Sequence, residues 1–407
     1  MAGADAGAMV AVAALVVGSD LNALGIVRSL AEGGVRAHVL GPADGVALRS
    51  RYALRHALDD TGGAALMRAL LELAPAIGGG PRPVLFLTEE KSVRTVSQQR
   101  AELLPHFRIA LPEAGVLDAL MDKNAFQTLA QALGGAIPRA VGLACEADLA
   151  RLAELRYPAV LKPAYKHYGY GALFQKAYVV QSAQEAAQRW RAIAPVLADL
   201  IVQEWIAGGD SAIYFCLQYI GADGAAVASF TGRKLRSWPP RIGGTASCIA
   251  APEHAAELAA STSAFFRAAG FVGMGSMEYK RDERDGRFYM IEPTVARSDF
   301  QEEVATLNGT NIALAAYRHE TGGAPPPCRA AQPPRLWREP LTDRWARSLS
   351  DAAPAEADIA HVACDAYFRL ADPMPWLAYM GERGAARARL LWQRLRPGGL
   401  AALKEPQ

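Results

Sequence analysis

The chain has 407 residues, 51% of them hydrophobic and 21% charged, with a net charge of +2. That balance excludes a disordered chain and a strongly basic nucleic-acid binder, and the length calls for two or three folded domains rather than one core. The five cysteines show no Cys-x-x-Cys spacing, which argues against a disulfide framework or a zinc site and for a reducing compartment, expected to be the cytoplasm.

The opening "MAGADAGAMVAVAALVVGSD" has no Lys or Arg before its apolar run and carries Asp5, so it reads as a buried first strand rather than a signal peptide. No segment reaches the roughly 18 uninterrupted apolar residues of a membrane span. A polar turn at Gly18-Ser19-Asp20, a helical pattern, a Gly33-Gly34 stop and a second apolar run, Val35 to Leu40, make a βαβ start and predict a parallel sheet. The Gly-x-Gly-x-x-Gly spacing of a dinucleotide fold is missing. A further strand, "PVLFLT", ends in Glu89-Glu90, at the carboxyl edge where open α/β sheets collect ligands.

In "LMDKNAFQTLAQALGGAIP", Asp122 is placed to cap a helix that Gly134-Gly135 end. The short strand of "VLKP", ending at Lys162, leads into "YKHYGYGA", where Gly169 and Gly171 offer hinges and backbone N–H groups for a loop over phosphates. Ser182 and Glu185 form a capping box before the next helix. Antiparallel strands are then expected in "LIVQEWIAGGD", "SAIYFCLQYI" and "AAVASFTGRKL". A hairpin closes the series, turning at Asp285-Gly286 with Glu278 and Glu292 opposite each other. Facing carboxylates repel, so the pair asks for either solvent on that face or a cation between them, and the apolar run of "FYMIEP" up to Glu292 favours the cation.

In this order Asp122-Lys123, "VLKP", "YKHYGYGA", "VQEWIAGGD", "GRKLRSWPP", Glu278 and "IEPT" resemble the ATP-grasp ligases, most of all the carboxylate-amine ligases with a small α/β domain in front. The resemblance covers roughly Val12 to Thr321. It implies a Rossmann-like parallel-sheet domain (1–116), a two-lobed ATP-grasp domain (117–200 and 201–321), and a Pro-rich linker with a helical tail (322–407). ATP and two magnesium ions are the cofactors it implies. Lys123 and Lys162 would contact phosphates, with Gly169 and Gly171 in the loop that closes over them. The segment Gln203, Glu204, Trp205 and Ile206 would hold the adenine and Asp210 the ribose. Lys234 would neutralise the transferring phosphate, Arg236 or Arg241 would hold the acidic substrate, and Arg297 would clamp a substrate carboxylate or intermediate. Glu278, Glu292 and Thr294 would ligate the metal; the family usually has Asn where this chain has Thr294.

The implied activity is activation of a small-molecule carboxylate as an acyl phosphate, with ADP released, and its coupling to an amine. A carboxylase, a small-molecule kinase and an ATP-binding module without turnover are the alternatives. No nucleic-acid partner is expected, and a homodimer is compatible with the sequence.

The tail holds Trp337, Trp345, Trp376 and Trp392, four of the seven tryptophans, so it must pack on something. Residues 381–407 carry a net +4, and from Trp376 the residues Leu377, Met380, Gly384, Ala388, Leu391 and Leu395 recur at three- and four-residue steps. This predicts a basic amphipathic helix whose apolar face packs on the body or docks on a membrane surface or an acidic partner.

Overall fold

Residues 12–78, 80–165, 167–349 and 359–395 are described by a computed structural model. The first strands, β1 (Ala14–Val17), β2 (Ala37–Gly41), β3 (Ala53–Ala57) and β4 (Val84–Leu87), form a parallel sheet in the order β3-β2-β1-β4. Asp20 caps the helix Leu21–Glu32 by accepting from the N–H groups of Asn22 and Ala23. All four residues of β1 are buried because helices cover both faces of the sheet. Ala14 and Val16 pack toward one core, Leu15 and Val17 toward another, as the two-residue period of a strand requires.

A second sheet is antiparallel: β5 (Ala140–Leu143), β6 (Ala159–Pro163), β7 (Tyr178–Val180) and β8 (Leu200–Glu204), in the order β5-β8-β6-β7. With the helix Ala183–Ile193 it encloses its own core around Leu161, Val202 and Trp190. Since β8 pairs with β5 and β6, the lobe boundary expected after residue 200 falls inside this sheet.

The largest sheet has the order β13-β12-β9-β10-β11-β14-β15. Its strands are β9 (Ile213–Ile220), β10 (Ala226–Trp238), β11 (Gly244–Ala250), β12 (Gly273–Arg281), β13 (Phe288–Val295), β14 (Arg335–Arg338) and β15 (Val362–Asp365). β9 is buried along its whole length, with Phe215, Leu217 and Tyr219 on one side and Tyr214 and Cys216 on the other. Those two cores are the ones that flank β1, so the parallel sheet and the large sheet are packed into one body.

The tail differs from the helical extension expected of it. Beyond the linker it adds β14 and β15 to the edge of the large sheet, and Trp337 is buried there with its indole N–H donating to Glu303 at 2.8 Å. Arg28 ties this segment to the first helix through Asp372 (3.1 Å) and Glu303 (3.2 Å). The final helix spans Met374–Leu395 and packs through Trp376 and Tyr379. Leu377 and Met380, expected on its packing face, are exposed, because the ring of Tyr379 stacks on Tyr367 and so turns the neighbouring face outward. The side chains of Ala388, Leu391, Trp392 and Leu395 lie outside the described residues.

Candidate active site

A cavity of about 770 Å³ opens between the β5–β8 lobe and the body. Strand periodicity decides what faces it. On β6, Ala159 and Leu161 point into the lobe core, so Val160 and Lys162 point the other way and line the cavity. On β8, Leu200 and Val202 fill the same core and Gln203 stands beside Lys162, accepting a hydrogen bond from its Nζ at 3.1 Å. Burial pulls the Lys162 pKa down to about 8, with Glu292 acting in the opposite direction.

The facing wall comes from β10, β12 and β13. Glu278 and Glu292 are directly paired in the hairpin, as their spacing predicts. The register then slips: Tyr279 pairs with Met290, leaving Ile291 as the extra residue of a bulge just beside Glu292. Met277 and Tyr279 go into the body core, so Glu278 and Lys280 face the cavity. Lys234 on β10 reaches Glu278 with Nζ–Oε2 at 2.6 Å and is almost fully buried. Burial alone lowers its pKa, but Glu278 outweighs it and the ammonium is held above its ordinary range. Lys123, first residue of the helix Lys123–Ala132 that Asp122 caps, lies 3.6 Å from Glu292. Against the opposing effect of burial, Lys123, Lys176, Lys162 and Lys234 together hold Glu292 well below the usual carboxylate range. At 38% exposure its side chain still meets the cavity water.

Most of the residues singled out from the sequence meet at this cavity: Lys123, Lys162, Gly171, Gln203, Glu204, Trp205, Ile206, Lys234, Glu278, Glu292, Thr294 and Arg297 all line it. Three do not. Arg236 is not at the wall, because β10 is irregular on both sides of it and its guanidinium forms a buried pair with Asp343 at 2.6 Å. Asp210 spends both carboxylate oxygens on backbone, accepting from Ser237 and Arg241 N–H groups at 2.8 Å each. Gly169 is not at the wall, and neither it nor Gly171 is a hinge in an open loop: Tyr168–Leu173 is a short helix capped by His167, whose Nδ1 accepts from the Tyr170 N–H at 3.1 Å. A helical turn satisfies the N–H groups that an open loop would leave bare. Glu204, although at the wall, accepts from Arg156 at 2.9 Å.

Lys176, Lys280 and Asp299 also line the cavity and had not been singled out. Lys280 was within reach of the two-residue rule, since it follows Glu278 on the same strand. Its Nζ lies 4.3 Å from the centroid of the Trp205 ring, and burial pulls its pKa to about 8. Lys176 follows the short helix, where no periodicity reports direction. Asp299 lies just past β13, where Ala296 adopts a left-handed backbone (φ 57°) and the chain turns to bring Arg297 and Asp299 to the wall. Such a conformation costs a residue with a Cβ about 1–2 kcal/mol.

Among the described residues no group of three or more His, Cys, Asp or Glu is placed to hold a metal. At the cavity the two hairpin carboxylates and the Thr294 hydroxyl form a sparse oxygen set on one strand pair. That sparse oxygen set suits magnesium, which is commonly held by one or two carboxylates together with substrate phosphates.

No family model matches the chain, and no curated protein matches it in sequence. Solved structures do match. An N5-carboxyaminoimidazole ribonucleotide synthetase in complex with ADP is similar with a TM-score of 0.62 at 14% identity, covering 79% of this chain and 80% of the other. N5-carboxyaminoimidazole synthetase from Staphylococcus aureus, also with ADP, gives 0.62 at 13% identity over 80% and 81% of the two chains. The biotin carboxylase domain of the Hydrogenobacter thermophilus 2-oxoglutarate carboxylase, a dimer with MgADP, ADP and bicarbonate, gives 0.60 at 15% identity over 79% and 72%. At these identities the likeness establishes the fold.

Proposed function

We propose that this protein, which has the ATP-grasp fold, is an ATP-dependent ligase that phosphorylates a carboxylate and couples the resulting acyl phosphate to an amine. The observation that carries the reading is the convergence of four lysines from separate segments, Lys123, Lys162, Lys176 and Lys234, around an in-register pair of glutamates. A cavity with that many lysines fits a polyanion such as a triphosphate, and two carboxylates within it fit a divalent cation shared with the phosphates.

In this reading the flat wall of Trp205, Ile206 and the Gln203–Glu204 backbone receives the base, at the end of the cavity where β8 leaves the lobe. Lys162 and Lys176 approach the phosphates from the lobe; Lys123 and Lys234 approach from the body. Arg297 holds the substrate carboxylate, for which a planar guanidinium is suited. A carboxylate oxygen attacks the γ-phosphorus, the bond from the γ-phosphorus to the β–γ bridging oxygen breaks, and ADP leaves with that electron pair. The amine nitrogen then attacks the acyl carbon, phosphate departs, and the amine proton is lost to water or phosphate. No side chain becomes covalently bound; the lysines position the phosphates and offset their charge. Glu278, Glu292 and Thr294 would hold magnesium, which when bound supplies further neutralisation of the phosphate oxygens. Asp210 and Arg236 have no part in this reading.

A panel of carboxylic acids, bicarbonate included, with hydroxylamine as surrogate amine tests it. Acid-dependent ADP and hydroxamate are expected. AMP and pyrophosphate, or nucleotide binding without acid-dependent turnover for any member, would overturn the ligase reading.

A further inference from the structure

The final helix leaves its predicted apolar face outside the body. Met374, Leu377 and Met380 are 50%, 48% and 46% exposed, and the adjoining segment adds Phe368 at 43% and Leu370 at 88%. The helix is held from another side: Tyr379 stacks on Tyr367 with ring centroids 3.8 Å apart, its hydroxyl donates to Glu339 at 3.1 Å, and Arg383 donates to that hydroxyl at 3.0 Å. The apolar residues are thus exposed on an anchored helix, not on a fraying end. Large apolar side chains left exposed together on one ordered segment of a folded protein mark a contact site.

We propose that this helix docks the protein on an anionic lipid surface, lying in the interfacial plane. Charge and geometry select that occupant. In the sequence, the three- and four-residue step of Leu377 and Met380 continues through Gly384, Ala388, Leu391 and Leu395, while residues 381–407 carry a net +4. An apolar strip with basic residues beside it is the pattern of helices that insert shallowly and attract acidic headgroups. Among the described residues no helix is long and apolar enough to cross a membrane, which leaves a surface mode for this one. A second copy of the chain is a poorer occupant, since it would bring the same +4 against itself. Of the chain's own remaining segments, residues 396–407 ("RPGGLAALKEPQ") carry a positive balance like the helix end they follow, with Arg396 and Lys404 against Glu405. Residues 350–358 ("SDAAPAEAD") have no large apolar side chain and are acidic, and 1–11 are mostly alanine and glycine.

The docking face is formed by residues that line no part of the catalytic cavity, so it can be altered without touching the proposed chemistry. The test is co-sedimentation of the full chain with vesicles of phosphatidylcholine alone or mixed with phosphatidylglycerol, at low and high salt. Binding to the anionic vesicles alone is expected, weakened by salt because headgroup attraction is screened over a Debye length of roughly 8–10 Å. The double variant Leu377→Asp/Met380→Asp should lose about tenfold or more of that binding while keeping its thermal melt. Arg387→Glu/Arg394→Glu should lose the anionic preference without unfolding. An intact chain that ignores both vesicle types overturns the proposal. So does a double aspartate variant that binds as well as the parent, or a dimer in solution that this variant dissolves with no vesicle binding in either.

Discussion

The two sides of the cavity are built differently. The body packs its parallel sheet and its seven-stranded sheet around shared cores, and its charged wall is internally paired, Lys234 with Glu278 and Lys123 with Glu292. The β5–β8 lobe has a core of its own, and of the two lysines it presents, Lys162 hydrogen-bonds the neutral Gln203 rather than a carboxylate. The consequence is visible in the acid–base behaviour: Lys234 is held above its ordinary range and Lys162 is pulled to about 8. A buried cation whose desolvation the nearby Glu292 and Glu278 only partly offset is further stabilised when a ligand brings another anion. The body side is arranged to hold charge in place, and the lobe side to respond to an incoming anion.

Glu292→Gln breaks that division most severely. The variant leaves four lysines facing one fewer carboxylate and removes an oxygen donor from the hairpin pair. Turnover should fall by about 10³ or more, the scale of losing a directed electrostatic contact at a transferring group, with Glu278→Gln acting in the same direction more mildly. Nucleotide affinity, measured by calorimetry, should change by only about tenfold, because the lysines remain. Abolished nucleotide binding would mean that the acids, and not the lysines, hold the triphosphate.

Lys162→Met addresses the other wall. A charge-assisted hydrogen bond contributes about 1.5–3 kcal/mol, so nucleotide should bind on the order of tenfold to a hundredfold more weakly. The pH dependence carries the sharper signature. With a pKa of about 8 in the free protein, Lys162 is charged below pH 8 and neutral above it, while a bound polyanion keeps it charged to higher pH. Binding therefore takes up a proton above pH 8, and affinity should be full below that point and fall by up to about tenfold per pH unit above it. In Lys162→Met this slope should be reduced. An unchanged slope would assign the titration elsewhere.

What the sequence made legible is what periodicity and turn chemistry control. The Asp285-Gly286 turn marked the hairpin, but the register that leaves the turn pairs Tyr279 with Met290 and would carry Glu278 to Ile291; the bulge at Ile291 is what sets Glu278 opposite Glu292. Lys162 stood out as a lysine at the end of an apolar strand, and the two-residue period of β6 is what turns it to the cavity. Arg236 misled for a local reason: it lies between two irregularities of β10, where alternation no longer reports direction, and its partner Asp343 is more than a hundred residues away in the tail. Asp210 misled because a carboxylate after a Gly-Gly turn serves backbone N–H groups as readily as a ligand, and sequence does not distinguish them. The tail was hardest to read. β14 and β15 are four residues each and gain their place by pairing with a strand edge formed far earlier in the chain.

Thr294 tests how completely the body wall is built. Its hydroxyl is an oxygen donor at the cavity but reaches less far than an amide side chain. If it contributes to holding the metal, Thr294→Asn should retain activity, and Thr294→Val should lose about tenfold to a hundredfold in kcat, with the loss partly recovered at high magnesium. A valine variant as active as the parent would show that the two glutamates suffice.

The smallest effect is expected at Lys280, where the contrast between the walls meets the far end of the cavity. Its ammonium lies over the Trp205 ring and is influenced by Asp210, Glu283, Glu278 and Arg241, yet burial still brings its pKa to about 8. A flat base entering beside Trp205 must share that ring with the ammonium, and a cation over an aromatic face is worth about 0.5–2 kcal/mol. Lys280→Met replaces this with an apolar wall of similar length, so losses and gains nearly cancel and ATP affinity should change by less than about tenfold. Two features separate it from Lys162. It should leave the alkaline pH slope of affinity largely in place, because a lysine contributes to that slope only where the bound polyanion raises its pKa, and Lys280 lies over the Trp205 ring at the base end. It should also leave the binding of inorganic tripolyphosphate unchanged, since that anion has no base, whereas Lys162→Met should weaken tripolyphosphate and ATP alike. If Lys280→Met weakens tripolyphosphate as much as ATP, Lys280 belongs with the phosphate-binding lysines, and the base end of the cavity lies elsewhere than at Trp205.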